Sequence, residues 1–86
     1  MASVGVNMDM IDLRNAESVL VTGRHVDNLQ GLLQGTRTAE WDPGPIDGLG
    51  GPRTRAAVLA FQGANSLDAD AIVGPLTWGK LIPFGR

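Results

Sequence analysis

Two stretches decide how this chain folds: Asp47-Gly48-Leu49-Gly50-Gly51-Pro52-Arg53-Thr54, and Asp70-Ala71-Ile72-Val73-Gly74-Pro75-Leu76-Thr77. A shift of 23 residues lays Asp47 on Asp70, Leu49 on Ile72, Gly51 on Gly74, Pro52 on Pro75 and Thr54 on Thr77. It carries on to Val58 on Leu81 and Phe61 on Phe84, so one supersecondary unit occurs twice. Each position has a physical role. The aspartate accepts hydrogen bonds from backbone N–H groups two or three residues on, in an Asx-type turn. The aliphatic residue is expected to turn inward and anchor the loop. Glycine serves as N-cap, and proline at the first helical position fixes φ where its missing N–H costs nothing. The threonine is expected to bond back to the cap, and losing either cap should cost about 0.5–2 kcal/mol.

Working outward, Pro52 to Gln62 reads as a helix with Ala57, Val58 and Phe61 buried and Arg53 and Arg55 towards water. Pro75 to about Ile82 makes another, with Trp78, Leu81 and Ile82 apolar and Pro83 closing it. Upstream, Val26, Leu29, Leu32 and Leu33 share one helical face, which predicts a helix from Arg24 to about Gln34, stopped by Gly35 in a left-handed conformation. Between them, Gly35 to Gly51 holds Pro43, Gly44, Pro45, Gly48 and Gly50 and reads as a long stiffened loop; Gly63 to Val73 is a second loop. Met8, Met10, Ile11 and Leu13 alternate loosely with polar residues, as in a short extended segment, and Val19 to Val21 form another brief apolar patch. Residues 1–23 are thus read as a partly extended N-terminal extension, and 24–86 as the domain. The fold expected is all-α, a small three-helix bundle with long Gly/Pro-rich loops.

Composition narrows the function. A chain of 86 residues suits one domain with an economical core, and with no cysteine neither disulfides nor thiolate metal sites supplement it. The net charge is −2, with the basic residues scattered rather than striped. Nucleic acid is therefore not expected as a partner, although a helix-turn-helix using Arg53 and Arg55 is an alternative that duplex titration would test. No apolar run is long enough to span a membrane, and Met1 to Asp12 lacks the pattern of a signal peptide.

The ordered series resembles a known family. Leu29-Gln30, Asp47 to Thr54, Ala56-Ala57-Val58, Phe61-Gln62, Ile72 to Trp78 and Leu81 look like the type 1 peptidoglycan-binding domain, over about Arg24 to Ile82. The resemblance implies a small three-helix, non-catalytic module that holds an attached or partner cell-wall enzyme at peptidoglycan. It implies further a monomer working outside the membrane, as part of a larger exported or phage-released protein. Two departures from the pattern fall in loops. In Asp68-Ala69-Asp70-Ala71, Ala71 must manage a turn usually given to glycine, and Thr38 to Ile46 is longer and richer in proline than the family's loop. These departures motivate an alternative function, a protein-interaction or structural module of the same fold without glycan affinity.

Catalytic chemistry finds little support. His25, the sole histidine, cannot assemble a zinc site alone and is read as an exposed residue in the first turn of a helix. Asp68 and Asp70 lack the further ligands of a calcium loop, Ser3, Ser18 and Ser66 lack a base, and Glu17 and Glu40 read as surface residues rather than a glycosidase pair. No cofactor, no metal and no catalytic residue is expected. Trp78 reads as core, whereas Trp41, between Glu40 and Asp42, could stack on a sugar or pack over the helices as a lid. The expected ligand site is Leu49, Gly50, Arg53 and Thr54, with Trp41 and Arg37 nearby. Its glycine-rich loop exposes backbone polar groups, and Arg53 offers a fork to a carboxylate. The same glycines could equally serve only the turn.

Overall fold

The computed structural model describes residues 10–85, with side chains as far as Pro83; Met8 and the Phe84 ring, which the sequence reading used, lie outside the described residues. The elements run β1 (Ile11–Asp12), α1 (Val26–Gly35), a 3-10 turn (Ala39–Trp41), α2 (Pro52–Ala64), β2 (Ile72–Val73), α3 (Pro75–Leu81) and a closing 3-10 turn (Ile82–Gly85). The described chain is thus mostly helical, with three α-helices. The all-α expectation leaves out a short antiparallel ladder, in which Ile11 pairs with Val73 and Asp12 with Ile72.

Helices α2 and α3 begin as the repeat requires. Gly51 and Gly74 are the N-caps in extended conformation, each followed by proline at the first helical position. The expected bond from each threonine back to its cap is replaced: Thr54 and Thr77 are buried, and their hydroxyls meet the side-chain amides of Gln30 and Gln62, as described below. Gly35 does not stop α1. It stays helical, and Arg37, at φ 57°, takes the left-handed conformation two residues later. Helix α2 ends in the same manner at Ser66, at φ 61°.

The core gathers Val26, Leu29 and Leu33 of α1, Ala57, Val58 and Phe61 of α2, and Trp78 and Leu81 of α3, closed by Ala71 and Val73. Ile11, Leu13 and Ala16, from the stretch read as an extension, are also buried in this cluster. The two inter-segment pairings follow the repeat. The Leu13 N–H donates to the Ala71 carbonyl at 2.8 Å beside β1–β2, while Val21 and Gly50 exchange two hydrogen bonds of 2.8 Å in an isolated bridge. Gly50 is the repeat equivalent of Val73, so the same position of each turn is paired to an N-terminal segment. It is also the position that points inward. Val73 is buried, and a β-carbon at Gly50 would stand 2.9 Å from the Leu13 Cδ2. The expected anchor, Leu49, is instead 43% exposed.

Candidate functional site

Each turn is built around a buried glutamine from the preceding helix. Gln30 of α1 donates its Nε2 protons towards Asp47 Oδ1 (3.2 Å), the Leu49 carbonyl (3.0 Å) and Thr54 Oγ1 (3.1 Å). Its Oε1 accepts from the N–H groups of Asp47 (3.2 Å) and Gly48 (2.9 Å). Gln62 of α2 repeats this, donating towards Asp70 Oδ1 (3.1 Å), the Ile72 carbonyl (3.0 Å) and Thr77 Oγ1 (3.1 Å), and accepting from the Ala71 N–H (3.1 Å). The aspartates make the expected Asx turns, accepting from Leu49 and from Ile72 at 2.9 Å. The Leu49 N–H is the main reason the Asp47 carboxyl lies below its ordinary value. Each glutamine therefore fixes a loop's outline to a helix, and a buried amide held on both faces is the arrangement that avoids an unsatisfied polar group.

Sequence reasoning quoted these glutamines only as part of the family pattern and gave them no role in the turns, although a signal was there. Gln30 stands four residues after Val26 and three before Leu33, on the buried face where an apolar residue belongs, and both glutamines follow a core residue, Leu29 or Phe61.

Two clefts open over the two turns, lined by equivalent residues. The first, about 290 Å³, is formed by Gln30, Asp47, Leu49 and Gly51 to Thr54 with Leu20, Pro43 and Pro45. The second, about 310 Å³, is formed by Gln62, Asp70, Ile72 and Gly74 to Thr77 with Ser66, Leu67 and Asp68. Of the expected site residues, Leu49, Arg53 and Thr54 line the first cleft together, with Thr54 buried and engaged by Gln30. Gly50, Trp41 and Arg37 do not line it. Gly50 is buried in the bridge to Val21, and exposed Arg37 ends α1. Trp41 meets the Phe61 ring edge to face, with centroids 5.0 Å apart and planes at 83°, which favours the lid reading over sugar stacking.

Arg53 stands at the mouth of the first cleft. Its guanidinium lies 4.0 Å from Asp42 Oδ1, and the side chain is 69% exposed. It crosses Gly44 closely enough that a β-carbon there would come within 3.2 Å of its Cζ. Gly44 has φ 84° and donates its N–H to Asp42 Oδ1 at 2.9 Å, so the proline-rich insertion forms a turn on which the arginine rests. Arg55 is not simply turned to water. It is half-buried and reaches Glu17 at 3.4 Å, tying α2 to the N-terminal segment. His25 is likewise half-buried, the N-cap of α1 at φ 72°, with Nδ1 3.0 Å from the Asn28 amide nitrogen. Among the described residues no group of three or more His, Cys, Asp or Glu side chains could hold a metal ion, and no helix is long and apolar enough to cross a membrane.

An uncharacterised protein of the bpoA1 3′ region from Kitasatospora aureofaciens is 59% identical over 36 residues, which are 42% of this chain and 30% of that protein. A zinc D-Ala-D-Ala carboxypeptidase from Streptomyces albus G is 56% identical over 36 residues, which are 42% of this chain and 14% of the carboxypeptidase. The match thus spans less than a third of either relative. No solved structure matches the chain significantly. The family described as "Putative peptidoglycan binding domain" matches residues 22–81, which take in both turns, both glutamines and all three helices, and the chain belongs to that family.

Proposed function

We propose that this domain binds peptidoglycan through the cleft that Arg53 rims, and so holds an attached or partner cell-wall enzyme on its substrate. The observation that carries the reading is the pairing of an exposed guanidinium with an apolar floor. Arg53 can grip a stem-peptide carboxylate in a bidentate fork. Leu20, Leu49, Pro43 and Pro45 supply a surface for the aliphatic parts of the polymer. Thr54 and Gly50 act as scaffold rather than contact. The family supports the ligand class, and the similarity to part of a named carboxypeptidase supports the association with wall enzymes. Work on that substrate places the protein outside the cytoplasmic membrane. The domain itself holds and does not cut.

The test is co-sedimentation with insoluble peptidoglycan. The chain should pellet with it at low and moderate salt, and Arg53→Ala should lower the pelleted fraction while leaving the melting curve in place, since the side chain is exposed. An exposed arginine–carboxylate pair is screened, so the loss should be roughly two- to fivefold in affinity. A chain that stays in the supernatant at both salt concentrations overturns the proposal.

A further inference from the structure

The two clefts share a frame but not a chemistry. Where the first carries Arg53, the second carries Leu76, 77% exposed and the most exposed large apolar side chain among the described residues. Leu67, Ile72 and Leu76 give the second cleft an apolar wall, while Asp68 and Asp70 bring carboxylates to it, and no Lys, Arg or His lines it. Asp70 commits Oδ1 to Gln62 and to the Ile72 N–H, which leaves Asp68 as the carboxylate with no structural task in the turn. Arg14, which feels the charge of Asp70, holds Asp12 through both carboxylate oxygens.

We infer that the second cleft is a binding site for an aliphatic ammonium, the free amino arm of a diamino acid in an un-cross-linked peptide stem. This rests on the peptidoglycan reading above and deepens it, since it names what a second part of the same ligand would meet. A methylene chain lies along Leu67, Ile72 and Leu76 and its ammonium ends at Asp68, the way a lysine stem covers apolar surface while its head stays at a polar rim. The volume of about 310 Å³ accommodates one such arm. With Arg53 on one turn and Asp68 by the other, the domain offers opposite charges to a ligand that carries both, and cross-linking, which turns the amine into an amide, removes the second contact.

The experiment follows backbone amide resonances of the full 86-residue chain during titration with a soluble stem pentapeptide bearing lysine at its third position, alongside the same peptide acetylated on the lysine side chain. The free amine should move the resonances of Asp68, Ile72 and Leu76, and acetylation should weaken that response roughly two- to fivefold, the worth of an exposed ion pair. Leu76→Arg, which copies the first cleft into the second, should abolish the response while the fold is kept, as its spectrum will report; Asp68→Asn should act like acetylation. Equal response to both peptides, or no movement around the second cleft, overturns the inference. Pelleting with peptidoglycan separates the two proposals: a chain that pellets but gives no amine response loses this inference alone, and one that binds the amine without pelleting loses only the proposed function.

Discussion

The first turn, Asp47 to Thr54, and the second, Asp70 to Thr77, have the same wiring and different surfaces. In both, a buried glutamine holds an aspartate, a carbonyl and a threonine hydroxyl together, and the glycine–proline pair starts a helix. The loop leading to the first turn is longer: Gln30 lies 17 residues from its aspartate and Gln62 only 8 from its own. The extra residues carry Trp41 onto Phe61 and Asp42 and Gly44 under Arg53. The comparison teaches that the repeat specifies a frame through buried polar contacts, while the insertion and one exposed position per turn, Arg53 or Leu76, give each cleft its character.

The largest way to break the comparison is to remove a glutamine. Gln62→Ala should destabilise the domain by about 3 kcal/mol or more, because it deletes several buried hydrogen bonds and strands the Ala71 N–H and the Thr77 hydroxyl. Gln30→Ala should cost at least as much, as it has counterparts of all four Gln62 partners and accepts from the Asp47 N–H besides. A small domain has only about 5 kcal/mol or slightly more to lose, so urea melts should show both variants largely unfolded at modest denaturant. If either substitution shifts the midpoint no more than a surface change does, the shared frame is not what holds the turns.

The next test exchanges the inward positions. Gly50→Val should cost about 1–3 kcal/mol, because its new Cβ would stand 2.9 Å from Leu13 Cδ2 and 3.3 Å from the Val21 carbonyl oxygen. Val73→Gly should cost about 2–4 kcal/mol by leaving a cavity against β1. Equal and negligible losses in thermal melts would mean that the two N-terminal pairings are incidental.

The left-handed positions offer a smaller contrast. Gly48 has φ 75° with open space around it, so Gly48→Ala should cost about 1 kcal/mol in backbone strain alone. Ala71 has φ 63° but its methyl is buried, so Ala71→Gly relieves strain while losing burial and adding chain entropy. Its stability should stay within about 0.5 kcal/mol of the parent, and a clear gain would show that the methyl contributes nothing.

The smallest expected effect is on pH. The Asp12 carboxyl is drawn from 3.8 down to about 2, chiefly by the side-chain hydrogen bond from Arg14 beside the β1–β2 pairing, and Asp47 is lowered chiefly by the Leu49 N–H. Folded values below the unfolded ones give stability that is present above about pH 4 and is lost as the pH falls through the folded values, for Asp12 towards about 2. Melting temperature should therefore be flat above about pH 5 and fall below it, and Asp12→Asn should flatten part of the acid limb. Because the pair is exposed, the change should be slight.

Much of the fold was legible from residue order. The 23-residue repeat announced both Asx turns, both Gly–Pro helix starts and the buried stripe of Val58, Phe61, Trp78 and Leu81, because capping and periodicity are local properties. What local reading could not reach was every feature that depends on a distant partner. Gln30 and Gln62 show by position only that they sit beside core residues; their partners come when the turns 17 and 8 residues away close on them. The expected site was assembled from neighbours in sequence, and only Leu49, Arg53 and Thr54 share a cleft. Trp41 has no way of declaring in sequence that Phe61 will receive it.

The sequence by itself determined where helices start, which stripes are buried and that one turn is used twice. Only the tertiary structure decided that residues 11–21 pair with both turns, that Leu49 faces out while Gly50 faces in, and that the two clefts differ in charge. The division is physical: backbone preference acts over a few residues, whereas burial, hydrogen-bond satisfaction and the electrostatics of a surface arise only when segments far apart in the chain are brought together.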